Sequence, residues 1–257
     1  MRKTQAVGLV GLLLILSPAG AGPKATSAAG DDPFIVAIET AKRSVAPLDC
    51  LDENGTKILR RLGTASFVSN KGDFVTAAHV LQDMKKGEPS CPIAAIILPV
   101  GSWRPEAREE SQVWFPFQSA NCVMDHDLDV ARCRPDDDLS VPKNGVRFKI
   151  TPVEFEWTIL PDGTQIAFTG FPLQLRDPLT VRASVASYQT VWENDKPVPR
   201  LLVDHVAWPG SSGSPVYLAN GRVIAILIGG GKDEATGMTI VRPALPIRDM
   251  LAKKTGE

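Results

Sequence analysis

The chain is poor in histidine and lacks the motifs that bind metals and the basic blocks that bind polyanions. Its 257 residues include three histidines, no Cys-x-x-Cys pair and no His-Glu-x-x-His motif, so neither a zinc finger nor a metalloprotease helix is encoded and no metal or other cofactor is expected. Basic residues form no block and the formal charge is -1, which removes the electrostatic footprint of a nucleic-acid partner or an acidic membrane surface. No apolar run reaches the roughly 20 residues that span a bilayer. Helical periodicity is also scarce until Pro246-Ile-Arg-Asp-Met-Leu-Ala252. A hydrophobic share of 44% over this length is nonetheless enough for a sizeable core.

What is present falls into segments. Arg2 and Lys3, the apolar stretch Ala6 to Leu16 and Ala19-Gly20-Ala21 read as a cleaved secretory signal over residues 1–21, because Pro18, Gly20 and Gly22 break the run before it could anchor the chain. Residues 22–32 form a small-residue linker without periodicity, and 33–257 form the folded domain. That domain opens on a helix: Asp32 can cap it, Pro33 suits its first position, and Phe34, Ile35 and Ile38 share a face. From Val45 the pattern becomes short strand-like runs punctuated by Gly, Pro, Asn and Asp, with Asn54-Gly55 a hairpin turn and strands expected at Ile93–Leu98, Asp129–Arg134 and Val153–Trp157 among others. Many short strands at regular spacing predict an all-β fold.

Four cysteines behind a secretion signal point to disulfides, with three pairings possible. A hairpin turning at Asp125 to Leu128 would set Cys122 opposite Cys133, at a separation a disulfide accepts, leaving Cys50 with Cys91.

The chemistry converges on Trp208-Pro-Gly210-Ser-Ser212-Gly-Ser-Pro215. Glycines there let the backbone take conformations other residues resist and pass close to a substrate. A serine hydroxyl is a poor nucleophile until a base takes its proton, so the turn requires a histidine and an orienting carboxylate. Thr76-Ala-Ala-His79 and Asp127-Leu-Asp129-Val-Ala131 supply one candidate motif for each, both upstream. The order His, Asp, Ser differs from the Ser, Asp, His order of α/β-hydrolases, whose G-x-S-x-G pattern is also missing. Strand alternation alone puts Asp127 and Asp129 on one face and does not separate them.

Together these motifs resemble the trypsin/chymotrypsin-like serine protease superfamily, and within it the bacterial HtrA/Deg-like or glutamyl-endopeptidase-like branches; no PDZ-sized region follows. The resemblance implies two packed six-stranded antiparallel β-barrels, about 45–140 and 150–243, with a C-terminal helix over 246–254. It also separates the carboxylates, since the family's acidic residue precedes an aliphatic residue and Ala, as Asp129 does. By the same likeness the catalytic residues are His79, Asp129 and Ser212, and the oxyanion hole is formed by the amides of Gly210 and Ser212. Counting back from the turn puts Val206 on the floor of the substrate pocket, Trp208 at its rim, and Leu227, Ile228 and Gly229 in the wall that pairs with substrate. The expected function is a secreted or periplasmic serine endopeptidase acting on protein or peptide substrates. A serine esterase on the same triad, or a protease-fold binding protein with little turnover, are the alternatives.

Overall fold

A computed structural model describes residues 32–100, 112–193, 195–230 and 237–252. The signal and linker expected over 1–32 thus lie almost wholly outside the described residues, as do the final residues of the expected C-terminal helix. The domain opens with helix α1 (Pro33–Lys42), which buries Phe34, Ala37 and Ala41 while Ile35 stays exposed. The helical face is therefore set by Phe34 and two alanines, because a helix lying against a packed sheet favours small residues at the closest approach.

The first half contains β1 (Val45–Leu51), β2 (Ile58–Phe67), β3 (Phe74–Ala77), β4 (Ile93–Pro99), β5 (Gln112–Phe117), β6 (Cys122–Asp125) and β7 (Val130–Cys133). They form one antiparallel sheet in the order β5-β4-β1-β2-β3-β7-β6. This barrel-like half has seven strands where six were expected, since Asn121 ends a 3₁₀ turn that separates β5 from β6. The Asp136 amide donates to the Pro116 carbonyl at 3.2 Å and brings the chain leaving β7 against β5. Inside, Phe67, Phe74, Phe115 and Phe117 pack with Leu48 and Ile96.

The second half is a closed six-stranded barrel, β10-β13-β12-β11-β8-β9, from β8 (Gln165–Gly170), β9 (Leu179–Glu193), β10 (Lys196–Val203), β11 (Pro215–Tyr217), β12 (Val223–Gly230) and β13 (Thr239–Pro243). Residues 153–157 do not form the expected strand. β13 occupies that side of β12 from Ala225 onward, so the segment reaches only Val223, where Phe155 makes an isolated bridge flanked by the Val223 amide donating to Glu154 and the Glu156 amide donating to Val223. Helix α2 (Ala244–Ala252) follows β13 directly, starting two residues before the expected position with Pro246 in its first turn, where a missing N–H costs nothing.

The halves share a third core. Phe34 and Ala37 of α1, Val75 and Val130 of the first half, Tyr217 and Ile226 of the second, and Ile247 and Met250 of α2 pack together. Both helices thus close the seam between the barrels. Each disulfide lies in the first half: Cys122–Cys133 crosses opposed positions of β6 and β7 with Cα atoms 4.1 Å apart, and Cys50–Cys91 ties β1 to the segment leading into β4 at 5.7 Å.

Candidate active site

β3 ends at Ala77, and one 3₁₀ turn, Ala78–Val80, carries His79 beyond the sheet edge. The turn between β6 and β7 ends at Asp129, whose φ of 53° is a left-handed conformation that a non-glycine residue holds at about 1–3 kcal/mol. That conformation is fixed from several sides. The Asp129 carbonyl accepts the Ala78 amide at 3.1 Å, and its Oδ1 accepts the His79 amide at 2.9 Å. From the opposite half, buried Arg242 of β13 donates to the Leu128 carbonyl at 2.6 Å and to Pro199 at 2.6 Å. Burial draws the Arg242 pKa down, while the charges of Glu193, Asp129 and Asp125 oppose that shift.

The Asp129 Oδ2 then meets His79 Nδ1 at 2.8 Å, and His79 Nε2 lies 3.1 Å from Ser212 Oγ. Both distances are those of hydrogen bonds. Two neighbouring acids are occupied elsewhere: Asp127 pairs with Lys196 at 2.5 Å, and Asp125 accepts the Leu128 amide at 2.9 Å inside the turn. Ser211 and Ser214 are 2% and 0% exposed, so neither hydroxyl is open to a substrate. Of the other histidines, His126 is an exposed turn residue and His205 packs edgewise between Phe168 and Trp208.

The serine turn is pinned to the first half by a ladder of small polar residues. Thr64 donates its amide to the Ser212 carbonyl at 2.8 Å and its hydroxyl to the Gly210 carbonyl at 3.0 Å, and the Ser66 hydroxyl reaches the Gly213 carbonyl at 2.7 Å. Gly213 runs at φ 94°, and a Cβ there would stand 2.0 Å from the Thr64 carbonyl oxygen, which makes glycine obligatory. The amides of Ser211, Gly213 and Ser214 donate to Trp208, Leu227 and Ser211. Among the described residues, the amides of Gly210 and Ser212 find no acceptor.

The Gly210 amide is oriented by a neighbouring turn. Leu173 and Gln174, at φ 53° and 60°, are two consecutive left-handed non-glycine residues, each costing on the order of 1–3 kcal/mol. That turn presents the Leu173 amide to the Pro209 carbonyl at 2.8 Å.

The pocket residues divide. Val206 is 46% exposed and Trp208 also reaches solvent, whereas Leu227 is fully buried in the second barrel and spends both backbone groups on Gly213 and Ser214. Leu227 therefore leaves the expected substrate-pairing wall, because the register that anchors the serine turn consumes its amide and carbonyl. Ile228 packs against the first-half core, and half-buried Gly229, at φ 141°, follows the irregularity in β12. Asp204 turns its carboxylate to the Ser184 amide at 2.5 Å.

Residues 63–226 match the family model of the trypsin-like peptidase domain. The chain belongs to that family. This trypsin-like peptidase is therefore a serine endopeptidase, a hydrolase whose substrates are peptides. No curated protein sequence matches it. Among solved structures, the active form of the Rv3671c protease from M. tuberculosis is similar at 18% identity and a TM-score of 0.60, covering 99% of this chain and 95% of that one. Its inactive form is similar at 16% identity and 0.59, covering 86% and 93%. Deg5 is similar at 15% and 0.62, covering 84% and 91%. At such identities the likeness is one of fold.

Thr64 and Arg242 of the trypsin-like peptidase carry no motif that sequence reasoning could have found, whereas the Phe171–Leu175 turn opens on Ala167-Phe-Thr-Gly-Phe-Pro172, a stretch similar to HtrA-like proteins whose link to Gly210 the sequence does not show. Among its described residues no three His, Cys, Asp or Glu side chains gather as a metal site, and no helix is long and apolar enough to cross a membrane.

Proposed function

We propose that Ser212 is the nucleophile, His79 the general base and Asp129 the carboxylate that orients it. The observation that carries this reading is the continuous relay from Asp129 Oδ2 through His79 to Ser212 Oγ, 2.8 and 3.1 Å long. In the reaction Ser212 Oγ attacks the scissile carbonyl carbon while its proton passes to His79 Nε2. The negative charge that develops on the carbonyl oxygen is met by the Gly210 and Ser212 amides, which no acceptor among the described residues competes for. Collapse expels the amine, protonated by His79, and leaves an acyl-enzyme; water then enters by the same base and frees the acid.

Two disulfides agree with an oxidising compartment, and with the signal over residues 1–21 the enzyme is read as secreted or periplasmic. Val206 and Trp208 offer an apolar surface before the cut, and the Asp204 carboxylate accepts the Ser184 amide. Cleavage after small or medium apolar residues follows, because a buried Lys or Arg side chain would go unpaired.

The test incubates the enzyme and Ser212→Ala with a diverse peptide library and reads cut sites by mass spectrometry, with simple esters alongside. Cuts lost in Ser212→Ala support the reading; turnover of esters without peptides makes the enzyme an esterase. Cuts that persist in Ser212→Ala remove the nucleophile assignment, and a preference for Arg, Lys or Glu removes the specificity.

A further inference from the structure

One buried ion pair lies beside the catalytic turn without belonging to it. Asp49 of β1 and Arg61 of β2 face each other across paired positions, with Arg61 Nε bonded to Asp49 Oδ1 and side chains 4% and 10% exposed. Burying two charges is costly unless their remaining hydrogen-bonding groups are used. Arg61 uses them on one target: its Nη1 donates to the carbonyls of Phe171 at 3.3 Å and of Leu175 at 3.1 Å. Those carbonyls stand on either side of Leu173 and Gln174, the two left-handed residues. Its guanidinium also lies 5.6 Å from the Phe171 ring centroid. The side chain thus brackets a turn held in a costly backbone conformation.

What the turn holds is the peptide between Pro209 and Gly210. A trans peptide points its C=O and N–H in opposite directions. With the Pro209 carbonyl fixed on the Leu173 amide at 2.8 Å, the Gly210 N–H must face away from the Phe171–Leu175 turn, where it meets no acceptor among the described residues. Were Leu173 released, that peptide could rotate and present its carbonyl where the amide now stands. A carbonyl repels an oxyanion. Arg61 also comes close to Gly210 itself: a Cβ on Gly210 would lie 3.4 Å from Arg61 Cγ and 2.6 Å from the Phe171 carbonyl oxygen, so these elements are already in contact.

We propose that Arg61, held by Asp49, is a positioning residue for the oxyanion hole, keeping the Phe171–Leu175 turn in the conformation that aims the Gly210 amide at the substrate carbonyl. The proposal rests on the assignment of Gly210 and Ser212 as the oxyanion donors. Arg61 touches no reacting atom, and its effect falls on the transition state alone, since a ground-state peptide does not yet carry the negative oxygen.

The experiment compares wild type, Arg61→Met and Ser212→Ala by steady-state kinetics and by affinity for a peptide boronate, which forms a tetrahedral adduct on the serine. The same peptide without the boronate is bound to Ser212→Ala and to Arg61→Met/Ser212→Ala. Arg61→Met should lower kcat about 10–100-fold, less than the roughly 10²–10³-fold that outright loss of one oxyanion donor costs, with KM within about twofold. Boronate affinity should weaken by the same factor, while affinity for the plain peptide stays unchanged. Should Arg61→Met fail to fold because Asp49 is stranded, Asp49→Leu/Arg61→Met removes both charges and should fold with the same loss of kcat. Wild-type kcat and boronate affinity in either variant overturn the proposal while the triad stands, and so does an equal loss of plain-peptide binding. If the wild type binds boronate no better than Ser212→Ala, the nucleophile assignment has failed and the proposal falls with it.

Discussion

Replacing Asp129 by asparagine keeps the side chain's shape and removes its charge, and the geometry of the site determines the cost. In the native site both carboxylate oxygens accept: Oδ1 from the His79 amide at 2.9 Å and Oδ2 from Nδ1–H at 2.8 Å. Asparagine has one oxygen and one NH₂ for these two donors. If its oxygen stays on the His79 amide, the NH₂ faces Nδ1, the ring must accept there, and Nε2 carries a hydrogen that cannot take the Ser212 proton. If the amide flips, the tautomer is right but two half-buried donors oppose each other at about 1–3 kcal/mol, so the inert arrangement leads by roughly 5- to 150-fold. The imidazolium also loses a counter-charge worth about 4 kcal/mol at 4 Å and an effective dielectric of 20, near a further 10³-fold. Asp129→Asn should therefore lower kcat by about 10⁴-fold, in line with what the same change costs in the Ser-His-Asp template. Asp127→Asn gives up only an exposed ion pair with Lys196, of about 0–1 kcal/mol, and should leave kcat within about twofold. The assay is hydrolysis of one fluorogenic peptide by all three proteins. A crippled Asp127→Asn beside a mild Asp129→Asn would refute the reasoning.

Burial pushes the Tyr217 pKa up to about 12, against hydrogen bonds from Thr169 and Thr180 that lower it. Because the folded value exceeds the unfolded one near 10, stability from the neutral phenol is complete below pH 10 and is lost as pH rises from 10 to 12, by about 2–3 kcal/mol. Thermal melts across that range should show the loss in wild type and a flatter curve in Tyr217→Phe. Gly213→Ala drives a methyl into the Thr64 carbonyl oxygen at a φ of 94°, and urea titration should find it destabilised by on the order of 3 kcal/mol, with catalysis abolished. Paired serine substitutions should cost about 4 kcal/mol for Cys50–Cys91, which closes the longer loop, and about 3 for Cys122–Cys133; equal costs would argue against the chain-entropy account.

The motif-bearing parts of the site were legible because they are local. Ala77–His79 follows a strand of four apolar or small residues, and Gly210 to Pro215 is a turn by composition alone. The Cys122–Cys133 opposition was readable as well, since a tight hairpin fixes its own register. What escaped depends on partners distant in the chain. The segment 153–157 has strand composition but finds only Val223 of β12 free before β13 takes the edge, and Leu227 is placed by a register that serves the serine turn. Arg61, 110 residues before the carbonyl it grips, reads in sequence as one more exposed cation on a strand edge.

The turn bearing Asp129 is held from β13 through Arg242, and α2 closes the seam just beyond it. A chain made from its N-terminus presents His79 and Asp129 while Ser212 is still unsynthesised, and Arg242 follows about thirty residues later again. On the triad proposed above, the half-made polypeptide holds an acid and a base with nothing to activate until those last strands have emerged and docked, and the arrival of Ser212 alone does not complete the turn that Arg242 steadies. On that assignment a chain still under synthesis cannot cut the machinery that builds it, because the order of its residues withholds the last parts of the site until the end.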